Sequence, residues 1–147
     1  MCDRFPFPHR NLDVFRVAVE LATVAKRVAD GVPHGYRKYR DQLLRAGGAP
    51  ACLIAEGVNR RQKGVKRQRY EEARGECGEA AAIAELLAAM ELAAGEDLER
   101  LDALAGRVAA MLTSMLKRLG SAGGRRDLRR RRDRSVGRRR ATQALGR

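Results

Sequence analysis

The sequence predicts an all-α protein: an antiparallel up-down four-helix bundle at residues 1–120, followed by a disordered Arg-rich C-terminal tail at 121–147. Three observations support this fold class. Apolar residues recur every three or four positions in four successive segments, which is the spacing of a helix. No segment alternates apolar and polar residues between turn signals, as a strand would. The connections between segments are short, which favours antiparallel neighbours.

The first helix is expected over about residues 12–30. Asn11 belongs to the residue types that favour the N-cap position, and Gly31 and Pro33 are expected to end the helix. The predicted core-facing stripe consists of Leu12, Phe15, Val19, Ala22, Val28 and Ala29.

The second helix is expected over about residues 36–56. Gly47, Gly48 and Pro50 are expected to interrupt it, because proline removes a backbone hydrogen bond and kinks a helix. The predicted core residues are Tyr39, Leu43, Ala46, Leu53 and Ile54.

The third and fourth helices are expected over about residues 65–94 and 96–119, with Gly120 closing the last one. The third helix carries an apolar repeat at Tyr70, Ala73, Cys77, Ala80, Ala84 and Leu87. The fourth carries a heptad seam at Leu98, Leu101, Ala105, Val108, Leu112, Met115 and Leu119. Further apolar residues beside these stripes, Leu86, Met90, Leu92, Leu104 and Met111, predict a second packing surface and hence self-association.

The charge is concentrated at the C-terminus. Of the net charge of +13, eleven Arg against two Asp place +9 in residues 121–147 and leave +4 for residues 1–120. Such a charge distribution attracts polyanions. No run of about 18 apolar residues and no signal-peptide pattern occurs, so a cytosolic location away from membranes is expected.

The sequence contains no pattern typical of a catalytic or metal site. Cys2, Cys52 and Cys77 form no CxxC or Cys/His arrangement and are expected to be reduced, mostly buried thiols. His9 and His34 stand alone beside prolines, and no Ser-His-Asp set, paired carboxylates or phosphate-binding Gly loop is visible. Neither enzymatic activity nor a cofactor is therefore expected.

The segment that joins the second and third helices is unusually basic, and we call residues 60–69 the elbow. Cations at a helix N-terminus oppose the helix dipole, so local stability does not explain them. The elbow is either a nucleic-acid contact or a solvated connection partly neutralised by Glu71 and Glu72. Its cations are Arg60, Arg61, Lys63, Lys66, Arg67 and Arg69.

Two further basic segments extend the candidate nucleic-acid contacts. Arg37, Lys38 and Arg40 lie beside Tyr36 and Tyr39, which either stack on bases of single-stranded RNA or pack in the bundle. The tail contributes Arg125, Arg126, Arg129, Arg130, Arg131 and Arg132.

Three stretches, taken in order, resemble one known family. They are "LDVFRVAVEL" (12–21), "DQLLRAGGAPACLIAEG" (41–57) and "RYEEARGECGE" (69–79). The second resembles a signature in which Gln42, Arg45, Ala46, Pro50, Ile54, Ala55, Glu56 and Gly57 match. This family comprises the four-helix-bundle proteins encoded in intervening sequences of 23S rRNA genes, which are similar in fold to the accessory variability determinant of diversity-generating retroelements. Phe15, where the family commonly has Trp, the Gly47-Gly48 pair and the Arg-rich tail depart from its pattern.

The resemblance implies a non-enzymatic bundle that assembles into a ring, typically a homopentamer, with suspected nucleic-acid association. The polar signature residues Gln42, Arg45 and Glu56 either form a network between subunits or make salt bridges that set the register of the helices. The sequence as a whole thus predicts a homo-oligomer that binds nucleic acid, RNA rather than DNA, through the elbow and the tail. The alternative is a protein-interaction scaffold that docks a polymerase or reverse transcriptase on its apolar helix faces.

Overall fold

The computed structural model describes the backbone of residues 6–144 and the side chains of residues 6–120. Two 3-10 turns and four α-helices follow one another, and no strand occurs within 6–144, which confirms the all-α prediction. The elements are a turn at Pro8–Asn11, α1 at Asp13–Gly31, a turn at His34–Tyr36, α2 at Arg37–Asn59, α3 at Lys63–Ala89 and α4 at Glu96–Ala144. The chain divides into two compact units, Met1–Leu116 and Lys117–Arg147, and the bundle is the first of them.

Side-chain contacts fix the order of the helices around the bundle. Ala25 of α1 lies against Gly47 of α2, and Arg74 of α3 donates a hydrogen bond to Thr113 of α4. Ion pairs join α2 to α3 and α1 to α4, namely Glu56–Arg69, Arg45–Glu76, Arg27–Asp97 and Glu20–Arg100. In both of these interfaces the residue number rises on one helix as it falls on the other. Neighbouring helices are therefore antiparallel, as the short connections predicted.

The predicted core faces of α3 and α4 agree with the structure. All six residues of the α3 repeat are buried. On α4 the centre of the heptad seam is buried at Leu101, Ala105, Val108 and Leu112, with Leu104 and Leu116 added to it. Leu98, Met115 and Leu119 are half-buried, because they lie toward the ends of the seam.

The predicted core face of α1 is largely wrong. Only Val28 and Ala29 of the predicted stripe are buried, whereas Val19 is 44 % exposed. The buried residues are Val14, Val17, Ala18, Leu21, Val24, Ala25, Val28 and Ala29. Because α1 carries apolar residues on more than half of its circumference, two stripes at helical spacing were available. The buried stripe is the one that contains Ala25, which lies against Gly47 of α2.

The interruption predicted for α2 does not occur. The helix runs from Arg37 to Asn59 with Pro50 inside it and fully buried. A Cβ atom on Gly47 would lie only 2.4 Å from the Cβ of Ala25, so this glycine permits the close approach of α1 and α2. The glycine is thus a packing device rather than a helix break. Leu43, Ala46 and Ile54 are buried as predicted, while Tyr39 and Leu53 are half-buried.

The start of α1 and the end of α3 differ from the prediction. Asn11 belongs to the 3-10 turn, and Leu12 takes the N-cap position of α1 without a side-chain hydrogen bond. The end of α1 at Gly31 is confirmed. Helix α3 ends at Ala89 instead of residue 94, since Glu91 adopts a φ of 57° that leaves the helical conformation. Gly95, with a φ of 95°, completes this connection in a conformation that favours glycine.

The backbone of α4 continues through Gly120, where the sequence predicted its end, and is helical to Ala144. The side chains of 121–147, including all six predicted arginine contacts of the tail, lie outside the described residues.

Candidate nucleic-acid interface

The elbow is a tight connection followed directly by a helix. Helix α2 ends at Asn59, and α3 begins at Lys63. Arg60 and Arg61 lie in the connection, and the other four elbow cations lie in the first two turns of α3. Arg60 takes the C-cap position of α2, and its backbone N–H donates to the carbonyl of Gly57 at 3.2 Å. The turn therefore presents both arginines outward, and both are exposed.

Two elbow cations are occupied by carboxylates. Arg67 donates to Glu71 at 3.0 Å, one helical turn further along α3. Arg69 donates to Glu72 at 2.6 Å, and its Nε lies 3.2 Å from Glu56 of α2. The hydrogen bond from Arg69 lowers the pKa of the Glu72 carboxyl below its ordinary value. Arg69 thus serves mainly to join α2 to α3.

The remaining four elbow cations make no ion pair within the described part of the chain. They are Arg60, Arg61, Lys63 and Lys66. The first turn of α3 contains no acidic residue, so these cations also face the positive end of the helix dipole uncompensated. The nearby carboxylates of Glu56, Glu71 and Glu72 are already engaged by Arg67 and Arg69. A cluster of positive charge therefore remains at this end of the bundle.

The same end contains the start of α1, because α1 and α2 are antiparallel. The 3-10 turn Pro8–Asn11 packs against both helices. Arg16 donates to Asp13 at 3.2 Å and to the backbone carbonyl of Arg10 at 3.3 Å. The acidic residue nearest to this turn is thus also engaged, and it does not offset the four elbow cations.

The polar signature residues act between helices of one chain. Arg45 on α2 donates to Glu76 at 2.8 Å and also binds Glu79, both on α3. Glu56, which lies three helical turns after Arg45 on α2, pairs with Arg69 of α3. These contacts match the salt-bridge interpretation, in which polar residues set the register of α2 on α3. Because the partners are partly exposed, these pairs add little to the free energy of unfolding. Gln42 lies half-buried on α2.

The apolar part of the signature has a packing role. Pro50 and Ile54 are buried in the core. A Cβ atom on Gly57 would lie 2.6 Å from the ring of Tyr70, which is itself only 3 % exposed. Burial raises the pKa of Tyr70 above its ordinary value. Gly57 therefore makes the space that this ring occupies between α2 and α3.

The second basic cluster lies at the opposite end of the bundle, where α2 begins. His34, Arg37, Arg40 and Asp41 line a cavity of about 180 Å³ that is open to solvent. Sequence reasoning predicted the two arginines as contacts but found neither the cavity nor the roles of His34 and Asp41. The spacing of three residues from His34 to Arg37 and four from Arg37 to Asp41 could have indicated that these side chains lie together at the start of one helix.

Neither tyrosine of this cluster is a core residue. Tyr36 is 44 % exposed beside the cavity, and Tyr39 is half-buried. Lys38 is exposed between them. Of the two interpretations offered for the tyrosines, exposure of Tyr36 is what base stacking requires, while Tyr39 packs partly against the bundle.

The two cysteines within the described residues lie in different environments. Burial, with a smaller contribution from the Glu76 carboxylate, raises the pKa of Cys77 to about 12, so its thiol stays protonated at neutral pH. Cys52 is exposed, which corrects the expectation of a buried thiol, because it lies on the outer face of α2. Cys2 lies outside the described residues. Within the described residues, no group of three or more His, Cys, Asp or Glu side chains is placed to hold a metal, and no helix is long and apolar enough to cross a membrane.

Comparison with known proteins identifies a family and shows similarity to a solved structure. The family model described as 23S rRNA-intervening sequence protein matches residues 10–114. A crystal structure of a protein of unknown function from the S23 ribosomal protein family of Bacteroides thetaiotaomicron is similar, with a TM-score of 0.64 and 20 % identity. The match covers 71 % of this chain and 98 % of that one, and at this identity it supports the fold alone. No curated protein matches the chain.

Proposed function

This chain belongs to the family of 23S rRNA-intervening sequence proteins, and on that premise we propose that it is a cytosolic, non-catalytic homo-oligomer that binds RNA. One observation carries the proposal. Arg60, Arg61, Lys63 and Lys66 cluster at a helix start that disfavours cations, and all carboxylates around them are engaged elsewhere. A cationic cluster without a stabilising role inside the bundle fits contact with phosphates.

Binding through such a cluster is electrostatic and largely independent of sequence. Phosphate contacts position a nucleic acid, whereas base contacts specify it, and the elbow offers only cations. Each neutralised phosphate of a single strand contributes about 0.7 to the slope of log K against log salt concentration. Removal of four contacts should therefore flatten this slope by about 3. The Arg-rich tail adds further positive charge to the same function.

Self-association is supported by apolar surface on the outer faces of the helices. Residues 46–55 of α2 contain no charged side chain, although this stretch includes exposed Cys52. Leu44 on α2 is 37 % exposed, and Val19 on α1 is exposed as well. A helix that lacks a charged face is normally covered on both sides. A ring of five copies is the assembly expected of this family. Analytical ultracentrifugation would give the mass of the assembly and hence the number of subunits.

The test is RNA binding measured across a salt series. The proteins are the full chain, residues 1–120, and 1–120 with all four elbow cations changed to Gln. A matched control removes four cations from the flanks of the bundle, and these are Lys26, Arg74, Arg100 and Arg107. We expect 1–120 and the flank variant to bind alike, and the elbow variant to lose most affinity together with its salt dependence.

Two results would count against this function. Equal loss in the elbow and flank variants would mean that net charge alone attracts RNA. Loss of all binding on removal of 121–147 would leave the elbow without a role.

The second candidate is a protein-interaction scaffold. It is favoured by Leu86 in the last turn of α3 and Met90 directly after that helix, which are exposed at the end of the bundle where α4 begins. Apolar docking of a polymerase or reverse transcriptase would persist at high salt, whereas RNA binding would weaken steeply. Replacing Leu86 with Glu would abolish the docking and leave RNA binding unchanged.

A further inference from the structure

The cavity at the start of α2 has the composition of an anion site. Two guanidinium groups, from Arg37 and Arg40, and the imidazole of His34 line it together with one carboxylate, Asp41. Arg37 Nε lies 3.5 Å from Asp41 Oδ2 at the rim. Arg40 Nε is buried and has no hydrogen-bond partner, and Arg40 makes no salt bridge within the described residues. The guanidinium of Arg40 is therefore not committed to a carboxylate of the described residues and is available to an anion.

We propose that the cavity formed by His34, Arg37, Arg40 and Asp41 binds the terminal phosphate of a nucleic-acid strand. The inference rests on the proposed RNA-binding function and names the part of the strand that this second basic cluster takes.

The size of the cavity selects a phosphate group. Its volume of about 180 Å³ is smaller than the roughly 300–1,000 Å³ of pockets that enclose whole drug-sized ligands. The cavity has room for a tetrahedral oxyanion, and it is open to solvent because His34, Arg37 and Asp41 are exposed. The rest of the strand can therefore continue outside, where exposed Tyr36 adjoins Arg37 and offers a ring for stacking.

The charge around the cavity favours a dianion. Of the two carboxylates near it, Asp41 is paired with Arg37, and Asp30 accepts a hydrogen bond of 2.6 Å from Lys26. Arg40 interacts with Asp30 only at longer range and keeps its donors. A terminal phosphate carries close to two negative charges at pH 7, whereas a bridging phosphodiester carries one. Planar guanidinium groups bind phosphate oxygens in pairs, and two of them border the cavity.

The helix itself contributes to the same preference. Helix α2 has 23 residues, its N-cap Tyr36 provides no side-chain hydrogen bond, and its first turn contains no acidic residue. The backbone N–H groups of the first turn therefore lack a carboxylate acceptor from their own turn, and they add to the attraction of an anion.

The test compares two RNA hexanucleotides of one sequence, with and without a 5′-phosphate, on the full chain. The variants are Arg40→Gln and Arg37→Gln, and the matched control is Lys38→Gln, which removes an exposed cation next to the cavity. Arg37 carries an 84 % exposed side chain, so its replacement leaves folding intact if Arg40→Gln does not fold. Because each protein is compared with itself on two ligands, the contributions of elbow and tail cancel.

We expect the wild-type protein and Lys38→Gln to prefer the phosphorylated strand about tenfold, and both cavity variants to reduce this preference below about twofold. Equal affinity of the wild-type protein for the two strands would overturn the inference while leaving RNA binding in place. If neither strand binds, the proposed function fails.

A second experiment tests the cavity without RNA. It compares the Tm of each protein in inorganic phosphate with its Tm in chloride at equal ionic strength. Phosphate should raise the Tm of the wild-type protein but not that of Arg37→Gln or Arg40→Gln. Equal Tm values for all of them would refute an anion site. Stabilisation by inorganic phosphate without any strand preference would replace the terminal phosphate by the free ion as the ligand, and so overturn the inference.

Discussion

Gly47 offers a sharp test of the packing between α1 and α2. In Gly47→Ala the new methyl group would lie 2.4 Å from the Cβ of Ala25, whereas non-bonded carbon atoms prefer about 3.5–4.0 Å. The two helices must then separate by about 1 Å or more. Over-packing of this kind typically costs 1–3 kcal/mol, and the upper half of that range applies because both methyl groups are attached directly to backbone. Replacing Gly by Ala inside a helix by itself raises the free energy of unfolding by about 1 kcal/mol, because Ala has the higher helix propensity. The net expectation is a loss of about 1–2 kcal/mol in the free energy of unfolding.

The neighbouring residue provides the matched control. A Cβ atom on Gly48 meets no other atom within 4 Å, and Gly48 lies in the same helix. Gly48→Ala should therefore stabilise the protein by up to about 1 kcal/mol. Urea unfolding followed by far-UV circular dichroism, at one fixed protein concentration, measures both variants. The reasoning is refuted if Gly47→Ala is as stable as Gly48→Ala. A second Ala25→Gly replacement should relieve the clash, so that Gly47→Ala becomes favourable in that background.

Two further predictions concern titratable groups. The hydrogen bond from Arg27 lowers the pKa of Asp97 below its ordinary value of 3.8, so the stabilisation is present above about pH 4 and is lost as the pH falls through the lowered pKa. Arg27→Gln should therefore lose less stability than the wild-type protein between about pH 4 and pH 2 in acid unfolding, and equal slopes would show that the pair has no role. In a Cys2→Ser background, Cys77, with its pKa of about 12, should react with a thiol reagent at pH 8 only after unfolding, whereas exposed Cys52 should react with the folded chain at a rate that falls as the protein self-associates. Fast reaction of Cys77 in the folded protein would contradict its burial.

The sequence was sufficient to predict the buried face of a helix that has one apolar stripe. It was not sufficient where a helix has two. On α3 the repeat from Tyr70 to Leu87 was the only continuous apolar face, and it is the buried one. On α1 both faces were apolar, and only the fit of small residues against α2 distinguishes them. Pro50 was misjudged for a related reason. A proline inside a helix is tolerated when the surrounding core holds it in place, and that support is visible only in three dimensions.

Within the candidate site, the sequence predicts contacts along one helix but not contacts that depend on how two elements pack. The pairing of Arg67 with Glu71 follows from their spacing of four residues. The engagement of Arg69 by Glu56 depends on the register of two helices, so no local pattern reveals it. The cavity at Arg40 depends on how the turn between α1 and α2 folds, and its charges only become a site once that turn closes.

The uninterrupted course of α2 sets the distance between the two proposed contact sites on the bundle. The cavity lies where α2 begins and the elbow where it ends, and 23 residues at 1.5 Å per residue separate the two by about 35 Å. A nucleic acid shorter than this span reaches one end of the bundle only. The affinity of this protein for RNA duplexes of increasing length is therefore expected to rise in a step when the duplex becomes long enough to reach both sites, and not gradually.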